Sequence, residues 1–238
     1  DGDIVRVPEG YVDSMFDDFA PDRVLVGCSM DATGEFVNIE DALVQGAARR
    51  DVRSVHVVES WVVWYPRKSG ILATAHAAFD RTIADVMASR GAPSETIAIT
   101  GNPALDGYAA PDMSGRSGVR DELELGNERL FVYFGQAKTS GASPDDPKTL
   151  GWVVDALGPD DRLIFARHPR DDRDYVELLA RVGGKLLTTG LTSDEVVYGV
   201  DVAVSHYSTM ALKSALLDIP TVLILEDDDI ADLRREYG

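Results

Sequence analysis

Three short stretches place hydroxyl, imidazole and guanidinium groups at spacings suited to holding a phosphate. "FARHPRDD" sets His168 between Arg167 and Arg170, just beyond an apolar run. The imidazole can donate to a phosphate oxygen or carry a proton near neutral pH, and the guanidiniums supply fixed charge. "VYFGQAKTSG" follows a second apolar run with Gly135, Lys138, Thr139 and Ser140. Such a loop can turn several N–H and O–H donors toward an anion. It is not a Walker A sequence. "VSHYSTMALK" puts His206, Ser208 and Thr209 where a strand gives way to a helix, with Lys213 one turn further on. Free N–H groups and the helix dipole favour an anion there. Each stretch also has a plainer reading: a solvated loop, a structural histidine, a helix cap.

A different chemistry is offered by "VVESWVVWYP", where Glu59 precedes Trp61, Trp64 and Tyr65. A carboxylate beside aromatic rings can have a raised pKa and act as a base. The plainer reading is a packed loop with a solvated Glu. Asp31 and Glu35 in "SMDATGEF" are weaker versions of the same idea. "EDDD", Glu226 to Asp229, offers oxygen ligands for Mg²⁺ but fits an acidic surface equally, so no metal site is expected. In "IAITGNPALDGY" an apolar strand stops at Gly101-Asn102-Pro103, and Asn102 is a candidate ligand amide.

Alternating elements must position these groups. Strands are expected over Asp3–Val7, Val24–Ser29, Ser54–Val58, Leu72–His76 and Ile97–Thr100, with helices over Val12–Phe19, Ile39–Arg50 and Asp80–Arg90. After "GYAAPDMSGRSG" the alternation resumes. Strands follow over Leu130–Phe134, Leu163–Arg167, Lys185–Thr188, Val202–Ser205 and Thr221–Leu225. Helices follow over Pro147–Leu157, Arg173–Val182, Asp194–Tyr198, Thr209–Leu217 and Ile230–Glu236. Near-continuous apolar strands between helices mean parallel sheets covered on both faces. The fold class is α/β: two Rossmann-like parallel-sheet domains facing across a cleft. Their expected bounds are 1–107 and 129–238, with a Gly-, Pro- and Ser-rich linker over 108–128. Ligands in such sheets bind beyond the carboxyl ends of the strands, where all these candidate loops lie.

The chain has 41 Asp and Glu against 23 Lys and Arg, a net charge of -18. The excess is spread along it: residues 1–106 hold 17 acids and 9 bases, residues 107–238 hold 24 and 14. This argues against a nucleic-acid backbone as partner. Lys is scarce, five against 18 Arg. A dispersed acidic, Lys-poor surface fits a protein from a salt-accumulating halophile; a GC-rich genome is the other explanation. Cys28 stands alone in an apolar run, so no intrachain disulfide is expected. No stretch of 18 apolar residues occurs and no signal peptide is read, so the expectation is a cytoplasmic chain without a membrane span.

"RHPRDD" followed by "SHYSTMALKSALLDIPTVLI" resembles the nucleotide-sugar half of GT-B fold enzymes, where a strand–"SST"–helix–"GIP" segment binds the donor. "ITGNPALD" resembles the last strand of their other half, and "SVHVVESW" is faintly similar to the "HVEAG" segment of non-hydrolysing UDP-N-acetylglucosamine 2-epimerases. The resemblance implies glycosyl transfer from a UDP-, CDP- or GDP-linked sugar to an unknown acceptor, the nucleotide sugar being substrate and no cofactor being needed. The diphosphate would lie near Gly135, Lys138, Thr139, Ser140, Arg167, His168, Arg170, His206, Ser208 and Thr209, with Asn102 opposite and Glu59 as base. The alternatives are a 2-epimerase, a polyol-phosphate transferase, or a non-catalytic nucleotide-binding or partner subunit; homo-oligomerisation stays open. Two departures stand out. The family's helix usually carries a Glu that holds the ribose hydroxyls where this chain has Lys213, which cannot accept hydrogen bonds. Both ends also read as clipped relative to the pattern.

The charge pattern predicts that stability rises as KCl is raised into the molar range, because screening relieves self-repulsion. Thermal unfolding across a KCl series checks this; a melting temperature that is flat or falls with salt refutes the halophilic reading.

Overall fold

The computed structural model describes residues 10–27, 38–58, 69–109, 113–136, 146–169, 171–187, 190–206, 208–225 and 231. The chain divides into two compact units, the first up to Pro103 and the second from Ala104. Each has its own parallel sheet. The expected strand at Asp3–Val7, Cys28, and the acidic run 226–229 lie outside the described residues, as does all but residue 231 of the helix expected at Ile230–Glu236.

In the first unit the elements are α1 (Tyr11–Phe19), β1 (Arg23–Val26), α2 (Asn38–Arg49), β2 (Arg53–Val58), β3 (Ala75–Ala78), α3 (Arg81–Ser89) and β4 (Ile97–Ile99). The sheet order is β1-β2-β3-β4. Asp80 caps α3, its Oδ1 accepting from Ile83 N–H at 2.8 Å. Register aligns Val26 with His56 and His56 with His76, so these buried side chains share a face with Val24, Ser54, Val58 and Ala78. On the other face Leu25 is 72% exposed and Val55, Val57, Ala75 and Ala77 are half-buried. Burial in this unit is therefore one-sided among the described residues, not equal on both faces as expected.

The second unit contains α4 (Asp106–Ala109), α5 (Arg116–Glu122), β5 (Arg129–Phe134), α6 (Asp146–Ala156), β6 (Asp161–Ala166), α7 (Val176–Ala180), β7 (Lys185–Leu186), α8 (Ser193–Val196), β8 (Val202–Ser205), α9 (Thr209–Leu216) and β9 (Thr221–Leu223). Its sheet runs β7-β6-β5-β8-β9. The chain starts at the centre with β5, builds outward to β7, then returns to the other side of β5 with β8. Both faces are filled. Leu130, Val132 and Phe134 join Tyr108, Leu123, Val196 and Met210 in one core cluster. Tyr133 and Phe165 join Leu150, Val153, Tyr175 and Leu179 in the other. Two-sided burial is why "RLFVYF" reads as an unbroken apolar strand.

The expected linker over 108–128 is corrected here. Tyr108 is buried, and Val119 and Leu123 of the same stretch pack against the second unit's core. Its Gly, Pro and Ser content reads as a connector, but the apolar positions between them are drawn into the core. Asp201, just before β8, holds α5 down. It accepts from Leu130 N–H at 2.7 Å, from Arg120 at 2.9 Å and from Arg116. Burial pushes its carboxyl up, but these hydrogen bonds and the neighbouring guanidinium charges hold it below the usual carboxylate range.

Asp201→Ala strips the acceptor from two arginines and a backbone N–H, so the second unit should lose about 2 to 4 kcal/mol of stability. Urea unfolding measures it; a loss within experimental error would show that Asp201 does not anchor α5.

Candidate functional site

β5, β6 and β8 run parallel, so their carboxyl ends emerge together, and the direction of winding reverses between β5 and β8. Open α/β sheets bind ligands at such a switch point. The sequence candidates Gly135, Arg167, His168, His206, Ser208 and Thr209 all follow one of these three strands. The fold thus brings them to one end of one sheet. Lys138, Thr139, Ser140 and Arg170 lie outside the described residues, as does Glu59.

Ser205, at the last position of β8, organises this end. It is fully buried, and its register partner on β5 is Phe134. Its hydroxyl donates to the Phe134 carbonyl at 3.0 Å and accepts from Ser208 N–H at 3.3 Å. Ser208 then caps α9, its Oγ accepting from Met210 N–H at 3.2 Å. Thr209 follows at the helix start, exposed, with a hydroxyl and a backbone N–H. The positive end of α9 therefore opens at the switch point with hydroxyl groups around it, an arrangement suited to an anion. His206 lies between the two serines and is buried.

Gly135 has a packing reason to be glycine. A Cβ there would stand 2.9 Å from the Phe165 ring, and its N–H donates to the Ala166 carbonyl at 3.0 Å. It lets β5 pass close over the aromatic ring at the strand's exit. His168 is half-buried and Arg167 exposed, with Arg167 Nη1 donating to the Arg173 carbonyl at 3.4 Å.

Asp171, which sequence reasoning passed over, shapes the His168 loop. Its N–H donates to the His168 carbonyl at 2.9 Å. Its buried carboxylate accepts from Arg173 Nε at 2.8 Å and Nη2 at 2.9 Å, and from the Tyr175 hydroxyl at 2.5 Å. The Tyr175 ring packs on Phe165 with centroids 4.4 Å apart. Burial pushes the Asp171 carboxyl up, but these donors outweigh it and hold the pKa at about 2. The expected helix Arg173–Val182 shortens to Val176–Ala180 because Asp171, Arg173 and Tyr175 bond to one another in a loop conformation.

Lys213 sits one turn into α9. Its ammonium donates to Asp194 Oδ1 and lies 5.2 Å from the centre of the Tyr108 ring. The Tyr108 hydroxyl donates to the same oxygen at 2.5 Å. Asn102 belongs to the first unit, where it is half-buried beyond β4. Gly101 before it has φ 74°, a left-handed conformation that favours glycine. "GNP" thus ends one sheet and leads into a short turn, Pro103–Leu105, that opens the second unit.

Solved structures of this architecture are UDP-GlcNAc 2-epimerases and a related protein. One is the Neisseria meningitidis UDP-GlcNAc 2-epimerase bound to UDP-GlcNAc, at TM-score 0.65 and 16% identity over 92% of this chain and 66% of that one. Another is the Methanocaldococcus jannaschii UDP-GlcNAc 2-epimerase in complex with UDP-GlcNAc and UDP, at TM-score 0.56 and 12% identity over 98% and 70%. A third is Anabaena HepE in complex with UDP and glucose, at TM-score 0.60 and 13% identity over 92% and 65%. This chain has their GT-B-like fold. It spans 66% of the length of the Neisseria enzyme and 61% of a Staphylococcus aureus structure with UDP. No protein-family model matches the sequence, and no curated protein matches it. Among the described residues no group of three His, Cys, Asp or Glu side chains could hold a metal ion, and no helix is long and apolar enough to cross a membrane.

Because Asp171 has a lowered pKa in the folded chain, its contribution to stability is complete above its unfolded pKa of about 4 and fades as pH falls through about 2. Asp171→Asn should therefore be destabilised at neutral pH, with the gap to the native chain narrowing between about pH 4 and pH 2. Urea midpoints across that range test it; a gap that is constant with pH would show that ionised Asp171 does not hold the loop.

Proposed function

We propose that this chain binds a nucleotide-activated sugar on its second unit and acts at the bond between sugar and diphosphate. The observation that carries this is the hydroxyl-lined start of α9 at the β5–β8 switch point, flanked by the His168 loop. A diphosphate is a compact multiple anion with many acceptor oxygens. Helix N–H groups, the Ser208 and Thr209 hydroxyls and the His168 imidazole are donors that match it. They would also stabilise the charge that develops as the sugar–oxygen bond breaks. Lys138, Thr139, Ser140 and Arg170 would add donors on the same side, His206 would back the loop from within, and Glu59 would serve as base for an acceptor. On this reading the reaction is glycosyl transfer to an acceptor hydroxyl.

A second reading, 2-epimerisation of the nucleotide sugar, is favoured by the fold shared with UDP-GlcNAc 2-epimerases. Both readings break the same anomeric bond and need the same diphosphate site. They differ in what attacks afterward. Incubation with UDP-GlcNAc alone, followed by NMR, separates them: a 2-epimer product supports the second, whereas turnover that needs an added acceptor supports the first.

Calorimetric titration with UDP, CDP and GDP should show micromolar to millimolar binding of one or more. His168→Ala should weaken nucleoside-diphosphate binding by about tenfold, the scale of one charge-assisted hydrogen bond, and leave the bare nucleoside unaffected. Equal losses for diphosphate and nucleoside would remove His168 from the phosphate site.

A further inference from the structure

We propose that Asp194 recognises the ribose of the nucleotide, its Oδ2 accepting the vicinal 2′ and 3′ hydroxyls while Lys213 and Tyr108 hold Oδ1. This rests on the nucleotide-sugar reading. Asp194 lies in the first turn of α8, a helix fixed by a reciprocal cap: Thr192 Oγ accepts from Glu195 N–H at 3.3 Å and Glu195 Oε2 accepts from Thr192 N–H at 2.7 Å. The carboxylate reaches the side of α9. There Lys213 Nζ and Tyr108 Oη both donate to one of its oxygens, Oδ1. No described residue donates to Oδ2, and the side chain is 56% exposed while that of Lys213 is 18%. Half of this carboxylate is thus clamped and half is open.

The position suits a ribose. Lys213 is four residues beyond Thr209 on α9, about 6 Å along the helix axis. In a nucleoside diphosphate the ribose hydroxyls lie at a comparable distance from the phosphates. With phosphate at the start of α9, those hydroxyls reach the second turn of the helix. A vicinal diol presents two O–H donors and asks for acceptors. Lys213 has none, and the Tyr108 hydroxyl already donates to Asp194. The Asp194 carboxylate is the acceptor in this cluster. It is kept ionised: burial raises its pKa, but the hydrogen bonds from Lys213 and Tyr108 outweigh that. The Lys213 charge cancels that of Asp194, so a carboxylate is tolerated close to a diphosphate that it would otherwise repel. Tyr108 is a positioning residue. Burial and the adjacent Asp194 push its phenol up, so it remains a donor at neutral pH. A purely structural clamp joining α4, α8 and α9 would use the same bonds, but it would not distinguish one nucleotide from another by its sugar hydroxyls.

The experiment is calorimetric binding of whichever of UDP, CDP or GDP binds tightest, alongside its 2′,3′-dideoxy form. The native chain should prefer the ribonucleotide by about tenfold or more. Asp194→Ala should lower ribonucleotide affinity and bring the two ligands to equal affinity. Asp194→Asn, which keeps volume and one acceptor, should retain part of the preference and serves if the alanine variant does not fold. Tyr108→Phe should keep the preference. Equal affinity of the native chain for both ligands overturns this proposal alone, with no variant needed. An equal fractional loss for both ligands in Asp194→Ala overturns it in favour of the clamp. Absence of binding of all three nucleotides by the native chain overturns the nucleotide reading itself and this proposal with it.

Discussion

One buried hydroxyl joins the parts of the second unit that are furthest apart in sequence and closest to its candidate chemistry. Ser205 Oγ ties the end of β8 to the end of β5, 71 residues earlier, and in the same stroke accepts the N–H of Ser208. A serine hydroxyl is one of few groups that can do both, since it donates once and accepts as well. Without it the buried Phe134 carbonyl and the Ser208 N–H would each lose a partner, at about 1 to 3 kcal/mol per group. The geometric effect is larger than the energetic one. The hydroxyl sets where the chain turns from strand to helix, and so where the positive end of α9 points. Ser208 can cap the helix because Ser205 has already placed its backbone.

A second constraint is charge. An acidic chain must bury some carboxylates, and the second unit does so with arginine in each case. Asp161 meets Arg129 through Nε and Nη2, Asp171 meets Arg173 in the same two-pronged way, and Asp201 meets Arg116 and Arg120. The guanidinium fork engages both carboxylate oxygens at once, which an ammonium cannot do. The preference for Arg over Lys in this composition therefore has a structural use, whatever else selects it. Lys213 is the informative contrast. Its single ammonium meets one oxygen of Asp194 and leaves the other available.

What was legible in the sequence follows from where each signal is stored. The five strands of the second sheet stood out because both faces are buried, so "RLFVYF" and "RLIFA" carry no polar interruption. The cap at Asp80 and the hydroxyls at Ser208 and Thr209 were legible because capping is local. The helix Arg116–Glu122 was read as linker, since its Gly and Ser content outweighs Val119 and Leu123 until the core that receives them is known. The same limit applies to the site. Ser205, Asp171 and Asp194 each act through partners that composition cannot reveal: Asp194 meets Tyr108 from 86 residues away and Lys213 from 19. Gly135 was legible as a special position but its reason is a phenylalanine ring thirty residues on. Lys213 stood out as a break in a pattern; that it brings a carboxylate with it could be seen only in three dimensions.

The crossing from the first unit to the second is short, and its far end is fixed by the same cluster. After Gly101 turns the chain out of β4, Pro103–Leu105 makes one tight turn and α4 begins at Asp106. Two residues later Tyr108 is already buried, stacked against Tyr198 with ring centres 6.3 Å apart and bonded to Asp194. The first residues of the second unit are thus anchored on α8 and α9, not on the sheet. The Asp194 carboxylate accordingly serves two masters: Tyr108, which arrives from the crossing, and Lys213, which belongs to the helix leading from the switch point. Any group that engages its remaining oxygen joins a network reaching from the start of α9 to the point where the chain enters this unit. Such a short path through three side chains is a physical route by which occupancy of the sheet's carboxyl end and the anchoring of the crossing share one hydrogen-bonding budget.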